Sequence, residues 1–291
     1  MARRASARSC VITPSAKCAA LVRRSDPTLG FSALPTTQRD SIMNSERTWI
    51  AGSAIASGFE ARALDPSLAF WLAMFAASAF GTVLGDFWAE GLHLGLVPSF
   101  GTLLVITGLL IWGDRLKGRG TEAFYWLAII FLRAGATNVG DGLIHIFGLS
   151  FIVASLLTGV ATLIAGFFTL PPPERANSPL INLRYWGAMG IGGVFGTVFG
   201  DLAAHTIGMF PALIALGLAL IVVIFVRGAL AATSMVGYWC VVLAERAAGT
   251  PAGDWFASRR GLGLGLPVAL LCTGAALVGA LWLYQRTKRQ G

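Results

Sequence analysis

Charged residues are scarce in this sequence. They make up 12% of its 291 residues, whereas hydrophobic residues make up 55%, and an ordinary soluble domain carries about 25% charged residues. A globular chain of this length cannot hide so much apolar surface from water. The composition therefore excludes a soluble enzyme, a disordered chain and a disulfide scaffold. It predicts an all-α, polytopic membrane protein whose first partner is the lipid bilayer.

Cysteine and histidine are also few, with four and three residues. Cys10, Cys18, Cys240 and Cys272 lack the spacing of a metal or redox motif. The sequence contains no phosphate loop and no nucleophile elbow, so we predict that the protein is not an enzyme. We expect no organic cofactor, while a bound divalent metal stays open. An intramembrane metalloenzyme is the weakest alternative, because no base or nucleophile can be named.

Acidic residues are absent before Asp26, although residues 1–64 hold nine Lys or Arg against four Asp or Glu. This segment is similar in composition to a transit peptide, but it lacks the apolar core of a secretory signal. We interpret residues 1–64 as a disordered extension or as sequence upstream of a start at Met43, and residues 65–291 as the transmembrane domain. The basic residues form no folded patch, so we expect no nucleic-acid partner.

The transmembrane domain repeats one pattern four times. An aromatic–tryptophan pair is followed by a Gly-Asp pair, and the separation from Trp to Asp is 15 residues in every copy. The tryptophans are Trp71, Trp126, Trp186 and Trp239, and the aspartates are Asp86, Asp141, Asp201 and Asp254. A threonine stands four residues before each aspartate: Thr82, Thr137, Thr197 and Thr250. Four matching registers predict a fourfold internal repeat.

Each repeat predicts two membrane helices. The repeats cover 66–113, 123–170, 184–228 and 235–284. Their helices are predicted at 66–88, 95–113, 123–143, 149–170, 184–206, 210–228, 235–255 and 263–284, each near the roughly 20 residues that cross a bilayer. Because each repeat has an even number of helices, all four share one orientation and are parallel repeats.

Lys and Arg concentrate in the links between repeats and in the C-terminal tail. The inner turns of the first three repeats carry none. The positive-inside rule then predicts that both termini and the links face the cytoplasm. Arg259 and Arg260, in the inner turn of the last repeat, contradict this pattern.

Small residues precede each aspartate and form small-xxx-small motifs, which allow helices to approach closely. We predict packing roles for Gly81, Gly85, Gly140, Gly196, Gly200, Gly249 and Gly253. For the four tryptophans we favour a belt at the membrane interface.

The four aspartates are the main functional candidates, because a carboxylate in a membrane helix usually faces a cavity or a partner. The negative end of the helix dipole adds to its cost. Exposure at headgroup level and a bound cation would each compensate that cost, and both readings stay open. One turn further, Glu90, His145 and His205 could supply metal ligands suited to Mn²⁺, Fe²⁺ or Zn²⁺, or they are hydrated turn residues.

Two arginines lie deep in the predicted membrane segments. Arg133 and Arg246 occupy the same position in repeats two and four, seven residues after the tryptophan. An arginine at that depth needs a partner or a cavity. We expect a pair between helices that joins one of them to an aspartate or to Glu245, serving either a transport gate or a structural clamp.

The aromatic-Trp and Gly-Thr-x-x-Gly-Asp pattern resembles a bacterial membrane protein family with four tandem copies of a repeat of unknown function. Each copy in that family has two transmembrane segments and a characteristic tryptophan. The resemblance covers about 66–284 and implies eight helices in the cell inner membrane. It implies no activity.

The residues lead to two hypotheses of different class. The first is a transporter or channel for a small cation, a divalent metal or a proton, with the four aspartates and two arginines along the ion pathway. The second is a non-transporting membrane scaffold or partner-binding protein, in which the Gly-Asp motifs only pack helices and form turns. The sequence does not define an oligomeric state.

Overall fold

A computed structural model describes residues 66–116, 122–169, 181–229 and 235–290. Our predictions for residues 1–64, and the links with Lys117, Arg119 and Arg175, lie outside the described residues.

The described chain is built from helices. They are α1 (Leu68–Asp86), α2 (Leu96–Leu116), α3 (Glu122–His145), α4 (Phe151–Phe167), α5 (Leu183–Ile207), α6 (Met209–Ala229), α7 (Met235–Ala257) and α8 (Gly265–Gln290). Each begins within two residues of its predicted start. The start is marked by capping side chains where the sequence offers them: Ser67 and Ser150 accept backbone N–H groups of α1 and α4, and Asn182 accepts one from α5.

The odd-numbered helices form a closed ring at the centre of the described helices. α1 contacts α3, α3 contacts α5, α5 contacts α7, and α7 returns to contact α1. These are the helices that carry the Trp, Thr and Gly-Asp positions, so the ring places equivalent residues of the four segments at the same level.

The even-numbered helices form an outer layer, and each packs mainly on an odd helix of the next segment. α2 lies on α3, α4 on α5, α6 on α7, and α8 on α1. Within the apolar windows of α2, α6 and α8 only 17%, 11% and 22% of residues are buried. Their exposed leucines, valines and phenylalanines offer a surface suited to lipid.

Among the described residues, six helices are long and apolar enough to span a membrane: α1 with the turn that follows it, α2, α3, α5, α6 and α8. The helix α4 is apolar but has only 17 residues, or about 25 Å at 1.5 Å per residue. The helix α7 carries Glu245, Arg246 and Asp254, which lower its hydropathy. Six of the eight helices in the described part of the chain thus indicate a membrane protein.

Glycines set the close spacing of the ring. A Cβ on Gly85 would meet the Ala134 carbonyl oxygen of α3 at 2.7 Å, and a Cβ on Gly200 would meet Thr250 Cβ of α7 at 2.7 Å. The other glycines for which we predicted packing roles make equally close contacts with the neighbouring ring helix, Gly140 against Thr197 and Gly253 against Ala79, for example. Their absent side chains let the four helices converge on one axis.

Candidate functional site: an acidic cavity above a buried arginine

The four aspartates lie near the C-terminal ends of the four ring helices and line a single cavity of about 350 Å³. Asp86 comes from α1, Asp141 from α3, Asp201 from α5 and Asp254 from α7. The four threonines found one turn earlier line the same cavity. The structure therefore brings together residues that are more than 160 positions apart in the chain.

No hydrogen bond or ion pair reaches any of these four carboxylates from the described residues. Each aspartate is only partly buried, so its oxygens are accessible from the cavity. A carboxylate set into a membrane domain needs water or a positive charge beside it. The cavity is consequently an open recess lined with acidic groups rather than a packed polar core.

Arg246 closes the inner end of this cavity. Its guanidinium is buried and spans the axis of the ring, donating from Nη1 to Thr82 Oγ1 (3.1 Å) and from Nη2 to Thr137 Oγ1 (3.0 Å) and Thr197 Oγ1 (3.1 Å). Its Nε donates to the Gly193 carbonyl at 3.2 Å. A helix from each of the other three segments thus contributes acceptors to one side chain.

Sequence reasoning found the recurring threonines but gave them no role. The available signal was their spacing, because a residue four positions before each aspartate lies on the same helix face as the carboxylate. In the ring, that face points to the axis, where hydroxyl groups accept hydrogen bonds from the guanidinium without neutralising its charge.

A buried ion pair lies beside Arg246. Arg133 of α3 donates from Nη1 to Glu245 Oε2 of α7 at 3.0 Å and from Nη2 to Oε1 of the same carboxylate. Both side chains are almost wholly buried. Among the pairs that the sequence left open, the structure contains Arg133–Glu245, whereas Arg246 takes uncharged acceptors.

The aromatic pairs form a layer at the opposite end of the ring helices. Tyr125 and Tyr185 share a hydrogen bond of 2.7 Å, and Tyr185 and Tyr238 share one of 3.2 Å. The fourth equivalent position is Phe70, which packs against Trp126 with ring centroids 5.7 Å apart.

The expected tryptophan belt at the lipid surface is wrong. Trp71, Trp126, Trp186 and Trp239 are 2%, 4%, 6% and 1% exposed, and each packs on the aromatic residue of the preceding ring helix. Their large rings fill the space between ring and outer helices. The indole of Trp239 also donates to Thr169 Oγ1 at 3.2 Å, so its polar atom is satisfied inside the protein.

The predicted metal ligands do not assemble into a metal centre. Over the residues that the structure describes, no three His, Cys, Asp or Glu side chains could hold a metal ion together. Glu90 and His145 line the acidic cavity, but His205 lines a neighbouring recess instead. We expected Asp86 and Glu90 to share one helix face, but a π-helical turn, Phe87–Gly91, continues α1. In a π turn, residues four positions apart no longer lie on a common face.

Comparison with protein families identifies a similarity in the last segment of the chain. A family model described as "Repeat of Unknown Function (DUF347)" matches residues 237–290, which correspond to α7 and α8 without the first two residues of α7. No curated protein and no solved structure matches the chain. The segment that holds Glu245, Arg246 and Asp254 is therefore similar to a DUF347 repeat.

Proposed function

We propose that this protein is a transporter of a small cation in the cell inner membrane. In this proposal the chain comprises four two-helix repeats, all eight helices cross the bilayer, and both termini are cytoplasmic. The proposal is supported by the ring, in which equivalent residues of four segments occupy equivalent places, and by the DUF347 match to the last segment.

One observation carries the proposal: four carboxylates from four different helices line one cavity, and none of them has a hydrogen bond or ion pair with the described residues. Helix packing does not require them, since the glycines and threonines already make the close contacts of the ring. Four acidic groups on one cavity create a negative potential as they ionise, and that potential concentrates cations.

The filled axis favours a carrier over an open channel. A cation leaving the cavity inward meets the fixed charge of Arg246, then the Arg133–Glu245 pair, then the tyrosine layer. A guanidinium on the axis repels both metal ions and protons. Passage therefore requires the ring helices to move. The helix α7 is suited to such movement, because Pro251 lies between Arg246 and Asp254 and removes one helical hydrogen bond.

The cavity favours a proton or a hydrated ion as cargo. Its volume of about 350 Å³ equals roughly ten water molecules at about 30 Å³ each. A divalent metal would then be held through its water shell by carboxylates, as a hard cation retains water, rather than by a closed set of protein ligands.

The test is cation flux in liposomes containing the full chain. Asp86→Asn and Asp201→Asn each keep the side-chain shape and remove one charge from the cavity, so we expect uptake of Mn²⁺ or of protons to fall at least tenfold. Glu122→Gln is the matched control, because it removes an acidic charge from the surface pair with Lys288. Wild-type flux in both aspartate variants would refute transport through this cavity and leave the scaffold hypothesis.

A further inference from the structure

Arg259 and Arg260 break the charge pattern of the chain, and the structure shows where they lie. They are exposed residues of the turn that joins α7 to α8. This turn is at the end of the ring that carries the aspartates, opposite the tyrosine layer. Their position conflicts with a purely topological role for basic residues, so another reason for two charges here is needed.

The two arginines line a recess of about 720 Å³ that adjoins the acidic cavity. Asp201 and Asp254 line both spaces, so the recess is the outer part of the same site. A sphere of that volume is about 11 Å across, which is comparable with the Debye length at physiological salt. The arginine charges therefore act on an ion that approaches the four carboxylates.

The turn is held firmly against the end of α7. Leu262 N donates to the Trp255 carbonyl at 2.7 Å, and Leu264 N donates to the Phe256 carbonyl at 3.1 Å. Ser258 N donates to the Asp254 carbonyl at 2.8 Å. These bonds tie the backbone on either side of the two arginines to the helix that carries Asp254.

Neither guanidinium has a hydrogen bond or ion pair among the described residues. Arginines that served to neutralise the aspartates would be paired with them at short range. Instead, the two arginines line only the outer recess, which they share with Asp201 and Asp254, whereas all four aspartates line the inner cavity. The arginine charges therefore weaken the attraction that a cation meets before it reaches the inner cavity.

We infer that Arg259 and Arg260 form a charge filter that disfavours divalent cations relative to monovalent ones. A local potential changes the concentration of an ion by a factor that is squared when the ionic charge doubles. At low salt, two unit charges about 10 Å away in water lower the local concentration of a monovalent cation about threefold. They hence lower the local concentration of a divalent cation about ninefold. The application to cargo rests on the proposed transport, but the filter itself does not.

The filter is measured with charged thiol reagents. In the full chain with its four cysteines replaced by alanine, Ala204→Cys places a thiol in the recess. Its rates of reaction with neutral, monocationic, dicationic and anionic methanethiosulfonates, relative to the neutral reagent, report the local potential. In R259Q/R260Q we expect the monocationic rate to rise about threefold, the dicationic rate to rise about ninefold and the anionic rate to fall about threefold at low salt.

Three controls separate the filter from other effects. R259K/R260K keeps the charge and should retain the parent rates, whereas a specific guanidinium site for anions would lose them. R286Q/R289Q removes two charges from the far end of α8 and should leave the rates unchanged. Asp201→Asn should slow the cationic reagents. Equal relative reaction rates in R259Q/R260Q and its parent would overturn the filter. The transport proposal would still stand, because it depends on flux in the aspartate variants.

Discussion

The close approach of α5 and α7 predicts a large penalty for one added methyl group. In Gly196→Ala the new Cβ would lie 2.7 Å from both the carbonyl carbon and the Cβ of Arg246. Carbon atoms prefer about 3.5–4.0 Å, so the shortfall is about 1 Å. Because these Arg246 atoms belong to the backbone or adjoin it, rotation of a side chain cannot relieve the overlap and the two helices must separate.

The cost can be isolated with a control on the same helix. A Cβ on Gly187 meets no other atom within 4 Å, so Gly187→Ala changes helix propensity alone. The difference between the two variants is then the packing penalty, about 3 kcal/mol at the upper end of measured overpacking. It corresponds to a Tm difference of about 6–12 °C for a chain of this size.

The assay is thermal unfolding in detergent micelles, followed by tryptophan fluorescence. We expect Gly196→Ala to unfold at a lower temperature than Gly187→Ala, and to lose flux because Arg246 is displaced from its threonine acceptors. Equal midpoints for the two variants would refute the view that glycine sets the spacing of the ring.

Three further predictions concern the interior. Glu245→Gln leaves the Arg133 charge buried without its partner and should lower the free energy of unfolding by about 3–5 kcal/mol; a double variant, R133M/E245Q, should recover much of it, and additive losses would contradict the pair. Thr197→Val removes one of the three threonine acceptors of the central guanidinium, which also donates to Ser78 Oγ, and should cost about 1–3 kcal/mol while slowing flux, so wild-type flux and stability would contradict its role. Trp239→Ala should cost about 3–5 kcal/mol, whereas Trp282→Ala, at an exposed site, should cost far less, and similar losses in urea or thermal unfolding would restore the interface belt.

The helices and the common level of the aspartates along them could be predicted from the sequence, whereas the convergence of the aspartates could not. A repeat of 15 residues between Trp and Asp fixes the level of both along a helix, and long apolar segments fix the helices themselves. The cavity follows once the four equivalent helices close a ring. The sequence could not predict that the four ring helices close into a ring, because the order of helices around the ring depends on contacts between residues far apart in the chain.

The roles of Arg246 and the tryptophans depend on packing that spacing does not reveal. Arg133 and Arg246 occupy equivalent positions, yet only one of them reaches a carboxylate, because Glu245 has no acidic counterpart in the second segment, where Leu132 precedes Arg133. Tryptophan near a helix end is compatible with either lipid or protein on its far side. The outer helix that lies over each ring helix decides whether the tryptophan faces lipid or protein. The π-helical turn after Asp86 also has no distinct sequence signal.

The packing of each outer helix on the ring helix of the next segment has a consequence for biogenesis. Because each outer helix packs on the ring helix of the next segment, and α8 packs on α1, α1 is synthesised long before the outer helix that covers its flank. The described bundle can therefore finish assembling in the bilayer only after α8 has been synthesised. A circular permutant that joins α8 to α1 and opens the chain between α4 and α5 would keep all of these helix–helix contacts. We therefore expect it to fold.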